Sequence, residues 1–480
     1  MPTTKSLPLA SDAPATPKGS YAFISLGCPK NRVDSEVMLG VAEREGWVLV
    51  DDPAAAEVIV VNTCGFIGNA KTESIETIFA MAEQKERGRC KKLIVAGCLS
   101  QRHPHELAEE MPEVDHFLGS SDMLRLGDLL TGKTEERMLV GNPASWVVRA
   151  SDPRTVSTGQ ASAYVKLGEG CNRTCSFCVI PALRGKQRSR TADDIVGEVE
   201  ALAAAGVFEV NLVSQDTVSY GRDLPRAERT SLATLVERIA EVRGIRWVRL
   251  HYLYPESLGD ELLALLAGHP RVLPYVDMPL QHAADAMLRR MRRGHGGDRV
   301  RRAVERLRER VPGLVFRTAF IVGHPGETDA EFQELMDFVA WARFDRVGVF
   351  RYSDEESSRS YALDGKVSAR IAAARHRKLM ALQRKISLEK NQELVGETLE
   401  VLVEGVSDEH EYVLMGRHPG QAPEIDGQVY LSGGEARAGE LVRVRISQAS
   451  HYDLVGELSG EPPLVARTGR PRRVSLSVVR

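Results

Sequence analysis

The chain has 480 residues, 43% hydrophobic, 27% charged and 6% aromatic, a length that suits about two to four domains with cores of their own. Its 63 Lys and Arg against 66 Asp and Glu give a net charge of −3, which excludes an overall basic nucleic-acid coat protein, and it holds no apolar run of about 18 residues to cross a membrane. Seven cysteines, an odd number, argue against a disulfide framework and for metal ligation or catalysis in a reducing, cytoplasmic setting.

Residues 1–19 contain Pro, Ser and Thr without an apolar stretch and are expected to form a disordered leader rather than a signal peptide. Residues 20–130 alternate strand-like and helical patterns. Phe23-Ile24-Ser25-Leu26-Gly27, Val58-Ile59-Val60-Val61-Asn62 and Lys92-Leu93-Ile94-Val95-Ala96 read as buried parallel strands, with helices at 34–45 and 70–83. That is the pattern of a small doubly wound α/β domain. Residues 131–156, with Gly, Pro, Ser and Thr but no sustained periodicity, read as a linker holding one or two strands.

From 157 to 388 the alternation resumes. Strands are expected at 164–167, 209–213, 247–250, 275–278, 315–321 and 346–350, and helices at 192–205, 232–242, 283–291 and 330–340. Six β/α units suggest a full or partial TIM-type (β/α)6 barrel, whose chemistry sits at the C-terminal ends of the strands. The charged run at 370–393 reads as a long solvated helix. Residues 389–460 switch to short strands at 398–405, 411–417, 428–432, 441–447 and 454–458, separated by turns, which fits a small OB-like β-barrel. The stretch 461–480 is a basic tail, with five arginines and no acid from Pro462 onward, and reads as flexible and solvated.

Six of the seven cysteines form two triplets. Cys171, Cys175 and Cys178 lie within eight residues just after an apolar strand, where three thiolates can wrap one face of a small cluster. A single zinc ion would want a fourth ligand nearby, whereas three cysteines on a four-iron cluster leave one iron open to a cofactor or substrate. A structural zinc knuckle is the alternative. Cys28, Cys64 and Cys98 are dispersed, yet each directly follows one of the first three strands. Parallel strands end on one edge of their sheet, so these thiols should converge in the usual ligand crevice, unless they are three separate structural cysteines. Cys90 lies off any strand end and reads as a bystander.

The C-x3-C-x2-C spacing is the signature of the radical S-adenosylmethionine enzymes, and the whole arrangement resembles their methylthiotransferase family. Gly27-Cys28, Asn62-Thr63-Cys64-Gly65 and Gly97-Cys98 match its N-terminal motifs, and Gly170-Cys171 through Cys178 with Arg184-Gly185 match its radical domain. The resemblance runs from about Tyr21 to Ser459 and implies a C-terminal TRAM domain. One branch of the family modifies tRNA adenosine; the other modifies an aspartate of ribosomal protein S-twelve. Cys28-Pro29-Lys30-Asn31, Val213-Ser214-Gln215-Asp216-Thr217, Leu280-Gln281-His282 and Tyr352-Ser353-Asp354-Glu355-Glu356 look like the ribosomal-protein branch.

The resemblance implies two [4Fe-4S] clusters, one on each triplet, and S-adenosylmethionine as cofactor. It also implies radical hydrogen abstraction from the aspartate β-carbon, with a sulfur donor and an electron donor as further partners. Gly323, Gly326 and Glu327, in Gly323-His324-Pro325-Gly326-Glu327-Thr328, are expected to line the cofactor site, although a plain β-to-α turn would look the same. Gln215 and Asp216 end another strand and could face the ribose or the substrate. His282 is equally readable as a structural histidine, and Arg184 as a carboxylate partner or a surface charge. From 398 to 460 eleven acids face four bases, so this barrel would repel RNA and attract a basic ribosomal protein, unless the charge merely aids solubility. A tRNA methylthiotransferase, a metal-binding RNA module without catalysis and a two-cluster electron carrier are the rival readings.

Overall fold

A computed structural model describes residues 17–157, 161–255, 258–407 and 413–466. Most of the leader and most of the basic tail lie outside these residues, as do Glu411 and Tyr412 of the expected second barrel strand.

The first sheet is parallel throughout and has six strands: β1 (Gly19–Ser25), β2 (Trp47–Leu49), β3 (Val58–Thr63), β4 (Lys92–Gly97), β5 (His116–Leu118) and β6 (Met138–Leu139), in the order β2-β1-β3-β4-β5-β6. Alternate side chains of the apolar runs point to opposite faces. Phe23, Val60 and Ile94 join one buried layer with Met38 and Leu39 of the helix Pro29–Arg44, while Ile24, Val61 and Val95 join another with Ile78 of the helix Gly68–Ala82. Helices on both faces make the domain doubly wound, as expected. The sheet has twice the three strands read from the sequence, because β2, β5 and β6 are two- or three-residue pieces toward its edges without a pattern of their own. β6 comes from the stretch read as a linker.

β7 (Ser162–Lys166) opens the second sheet, and after it β8 (Gly168–Glu169) and β9 (Arg188–Ser189) form a small antiparallel pair. β10 (Glu209–Val213), β11 (Trp247–Leu250), β12 (Val272–Asp277), β13 (Val315–Val322) and β14 (Arg346–Arg351) complete a six-stranded parallel sheet in the order β7-β10-β11-β12-β13-β14, a partial barrel. Its helices bury apolar stripes at helical spacing. The helix Leu232–Glu241, capped by Ser231, turns in Leu232, Leu235, Val236 and Ile239. The helix Ala369–Gln392 corrects the expectation of a solvated rod: it buries Ala372, Leu379 and Ile386 and also Arg375, Gln383 and Asn391 against the sheet.

β15 (Thr398–Val406), β16 (Leu414–Arg417), β17 (Val429–Ser432), β18 (Leu441–Ala449) and β19 (Leu454–Leu458) close into a five-stranded barrel. Leu402, Ala422 and Leu441 of this barrel pack on Phe208, Trp247, Leu273 and Tyr275 at the N-terminal ends of the central strands. A buried ion group reinforces the contact: Arg417 Nη2 donates to Glu209 Oε2 at 2.7 Å, and Arg249 Nη2 donates to Glu209 Oε1 at 3.1 Å. The C-terminal barrel therefore seals the underside of the central sheet and leaves the opposite edge for chemistry.

Candidate active site between two thiol triplets

Cys28, Cys64 and Cys98 each leave the C-terminal edge of the first sheet, as their spacing required. Gly27 and Gly97, just before two of them, hold φ of +95° and +102°, a left-handed turn that lifts the next residue off the strand. A Cβ on Gly27 would press on Cys64 Cβ at 3.0 Å, and one on Gly97 would lie 2.4 Å from Asn62 Oδ1, so the first turn has little room for a side chain and the second has none. The Cys64 thiol is pushed up to about 12, first by burial and then by the neighbouring Cys98 and Cys28 sulfurs. The three groups thus lie within electrostatic reach of one another. Cys90 is buried in the apolar layer beside Ile59 and Leu93, apart from them.

The second triplet occupies the loop after β7, at the C-terminal edge of the central sheet. Burial pushes Cys171 up to about 11 and Cys178 up to about 12; Cys175 adds to both, and Cys171 adds to Cys178. Backbone N–H groups of Arg173 and Ile180 donate to Cys171 Sγ and Cys178 Sγ at 3.4 and 3.5 Å. Arg293 Nη1 approaches Cys175 Sγ at 3.3 Å and donates to Tyr254 Oη at 2.6 Å. The guanidinium groups of Arg173 and Arg293 both lie over the Tyr254 ring, 3.9 and 4.3 Å from its centroid.

Buried thiols, N–H donors to sulfur and nearby arginines are the surroundings that an iron–sulfur cluster wants. Among the described residues, no three Cys, His, Asp or Glu side chains close tightly enough around one point to hold a single metal ion. A cluster spreads its ligands more widely, because each thiolate binds a different iron. Three thiols in each set match the donors of a four-iron cluster that leaves one iron open.

The other residues named from the sequence divide sharply. Gln215 and Asp216 follow β10, and their Oε1 and Oδ1 atoms are buried without a hydrogen-bond partner among the described residues. Their remaining atoms are anchored, Gln215 Nε2 to Glu169 Oε1 at 2.5 Å and Asp216 Oδ2 to Arg173 Nε at 2.7 Å. Each therefore keeps one acceptor oxygen unused among the described residues. Glu327 differs: its carboxylate accepts from the Gly323 N–H at 2.5 Å and from Arg375 Nη1 at 2.7 Å, and meets His282 Nε2 at 3.2 Å. A Cβ on Gly323 would meet Ala372 Cβ at 2.6 Å, so this glycine makes room for a helix. A Cβ on Gly326 would lie 3.2 Å from Arg290 Nη1. The Gly323–Glu327 turn is tied into the protein's own packing, and His282 serves that turn.

Sequence reasoning missed Tyr254 and Arg293; of its two readings of Arg184 the carboxylate partner holds, and what it did not foresee is the contact with Cys98. This arginine ends the helix Ile180–Arg184, six residues after Cys178, and is 2% exposed. It donates to Cys98 Sγ at 3.1 Å, Asn31 Oδ1 at 3.2 Å, Asp34 Oδ2 at 2.7 Å and Glu169 Oε2 at 3.4 Å. Lys166 Nζ joins the same carboxylates at 2.5 and 2.7 Å. Beside this network Cys98 packs against Val179, Leu183 and Phe66. One short segment of the central domain thus stands between the two triplets.

Residues 165–339 match the radical SAM superfamily, 20–119 match the uncharacterized protein family UPF0004, and 395–458 match the TRAM domain. A protein of Sorangium cellulosum named ribosomal protein uS12 methylthiotransferase RimO is 72% identical over 95% of this chain and 94% of its own length. One of Myxococcus xanthus with the same name is 50% identical over 93% of each chain. Among solved structures, the radical S-adenosylmethionine methyltransferase TsrM of Kitasatospora setae, with tryptophan and a cofactor analogue bound, superposes with a TM-score of 0.53 over 77% of this chain and 89% of its own. At 16% identity that likeness concerns the fold alone. With two thiol triplets facing each other across one segment, and with relatives this similar along nearly its full length, the chain belongs to the RimO family of radical S-adenosylmethionine methylthiotransferases.

Proposed function

We propose that the protein adds a methylthio group to the β-carbon of an aspartate in ribosomal protein S-twelve. The observation that carries the reading is the placing of two three-thiol sites on facing strand edges, one built on a local loop and one on a sheet. When bound, two [4Fe-4S] clusters and S-adenosylmethionine supply the one-electron cleavage of an unactivated C–H bond and the sulfur that is methylated, chemistry no side chain performs.

The residues divide the remaining work. Cys171, Cys175 and Cys178 hold the radical-generating cluster, and Cys28, Cys64 and Cys98 hold the other. Gln215 Oε1 and Asp216 Oδ1 offer acceptors to bound cofactor or substrate. Arg293 and Tyr254 fix the Cys175 side of the loop. Gly323, Gly326 and Glu327 shape the wall. An electron donor and a sulfur donor are required, and the ribosomal substrate places the reaction in the cytoplasm.

The substrate's basic surface docks on the C-terminal barrel through only part of its acidic complement. Glu400 and Glu404 pair with Arg246 and Arg417, Glu424 with Arg32, and Asp426 accepts from Tyr275 Oη at 2.7 Å. Glu435 and Glu457 remain exposed for docking.

The test is anaerobic turnover of the reconstituted enzyme with reductant, sulfide and S-adenosylmethionine, read by mass spectrometry. A methylthio adduct on the aspartate of the ribosomal peptide, with unmodified tRNA left unchanged, is the expected result. An adduct on tRNA alone overturns the substrate and leaves the two-cluster chemistry.

A further inference from the structure

We propose that Arg184 is a positioning residue for the triplet it does not belong to: carried by the central domain, it orients Cys98 and raises the reduction potential of the cluster on Cys28, Cys64 and Cys98. The proposal rests on reading that triplet as a cluster site.

The geometry is directional. One end of the guanidinium, Nη2, faces Cys98 Sγ at 3.1 Å and Asn31 Oδ1 at 3.2 Å, while Nη1 faces the carboxylates of Asp34 and Glu169 at 2.7 and 3.4 Å. Lys166 bonds the same two carboxylates. Two cations and two anions form a neutral buried group with the positive end of its dipole toward the sulfur. A group of this kind is worth far more in a dry interior than at a surface, and hydrogen bonds to ligand sulfurs are a main control on cluster potential. Asn31 is itself held by its Nδ2 donating to the Leu26 carbonyl at 2.6 Å, so both sides of the contact are fixed.

The segment also joins the two sites mechanically. From Cys178 to Arg184 the chain runs through Val179 and Leu183, which pack on Cys98, and Ser120 Oγ donates to the Leu183 carbonyl at 2.8 Å. The first domain therefore carries the three thiols, but the arginine that steers one of them arrives only when the domains are docked.

The test uses the full chain with Cys171, Cys175 and Cys178 changed to Ala, so that only the first triplet binds iron, reconstituted anaerobically and titrated potentiometrically with electron paramagnetic resonance as readout. Arg184→Met should make reduction at least tenfold less favourable, a shift of about 59 mV to more negative potential for one electron. Arg184→Lys, which keeps the charge, should recover at least half of that shift. Glu169→Gln, which removes a counter-charge behind the arginine, should move the potential the opposite way. An unmoved potential in Arg184→Met with iron retained overturns the proposal, as does equal loss of iron in the Met and Lys variants, which would mark a purely structural part. If the parent binds no iron, the cluster reading of the triplet fails and takes the proposal with it.

Discussion

The two triplets solve one problem in opposite ways. Cys171, Cys175 and Cys178 sit on one loop, so their mutual placement is a local matter settled by a few backbone N–H donors and by Arg293. Cys28, Cys64 and Cys98 come from three strands, and their convergence depends on sheet register, on left-handed glycine turns and on clamps supplied by another domain. One clamp is Arg184; the other is the loop after β14. There Glu355 receives Lys71 and Arg102, each at 2.8 Å, Ser353 Oγ accepts from the Gly68 N–H at 3.0 Å, and Arg102 holds the Gly65 carbonyl beside Cys64. A site built on a loop is robust to changes elsewhere in the fold. A site built on a sheet inherits every strain of the architecture around it.

The sharpest division should appear in single cysteine variants. Cys171→Ala should cut 5′-deoxyadenosine formation by at least about 100-fold, the upper end of what even an outer-shell change costs a metal site. Cys28→Ala should leave that formation standing while the methylthio product disappears, as measured by chromatography of both products. Equal loss in both variants would erase the division. Next comes Glu355→Ala, which strands Arg102 in a buried setting and should cost about 3 kcal/mol, the low end for a broken buried pair because Lys71 is partly exposed. Urea unfolding would read the loss, and iron analysis should show it confined to the first triplet.

Gly97→Ala forces a side chain into left-handed backbone against Asn62 and should cost about 1–3 kcal/mol together with first-triplet iron. Thr174→Ala, on the exposed part of the other loop, should stay within about 0.5 kcal/mol in the same assay. The smallest effect is one of pH. Burial alone would raise the Glu355 carboxyl, but Lys71, Ser353 and Arg102 hold it below its ordinary 4.5. A depressed carboxyl stabilises the folded state above its unfolded value and loses that contribution as pH falls through the lowered one. The urea midpoint of the wild type should therefore lose the Glu355 contribution only below about pH 4.5, and Glu355→Gln should remove that part of the slope.

Much of this was legible from residue order, for physical reasons. Continuous β-branched runs announced β1, β3 and β4 because strands covered on both faces need no polar side, and the glycine before Cys28 and Cys98 marked the turn that presents each thiol. The helix Gly297–Arg310 escaped notice because Arg299, Arg301, Arg302, Arg306, Arg308 and Arg310 mask the stripe of Val300, Val304 and Leu307. Arg184, Asp34 and Glu169 could not be joined in advance, since their contact spans 150 residues and no periodicity records it. Glu327 was legible as a neighbour of the site but not as a residue whose carboxylate is already occupied.

The seal beneath the central sheet bears on how the chain is made. Glu209 meets Arg417 across a sequence separation of 208. At about 5–20 residues per second, translation leaves that glutamate and its neighbour Arg249 waiting on the order of ten to forty seconds for the guanidinium that completes their burial. Until the last domain emerges, the nascent barrel carries charges it cannot yet desolvate, with Phe208 and Trp247 uncovered beside them. The central domain thus stands with an unsealed underside until the last domain of the chain has been made.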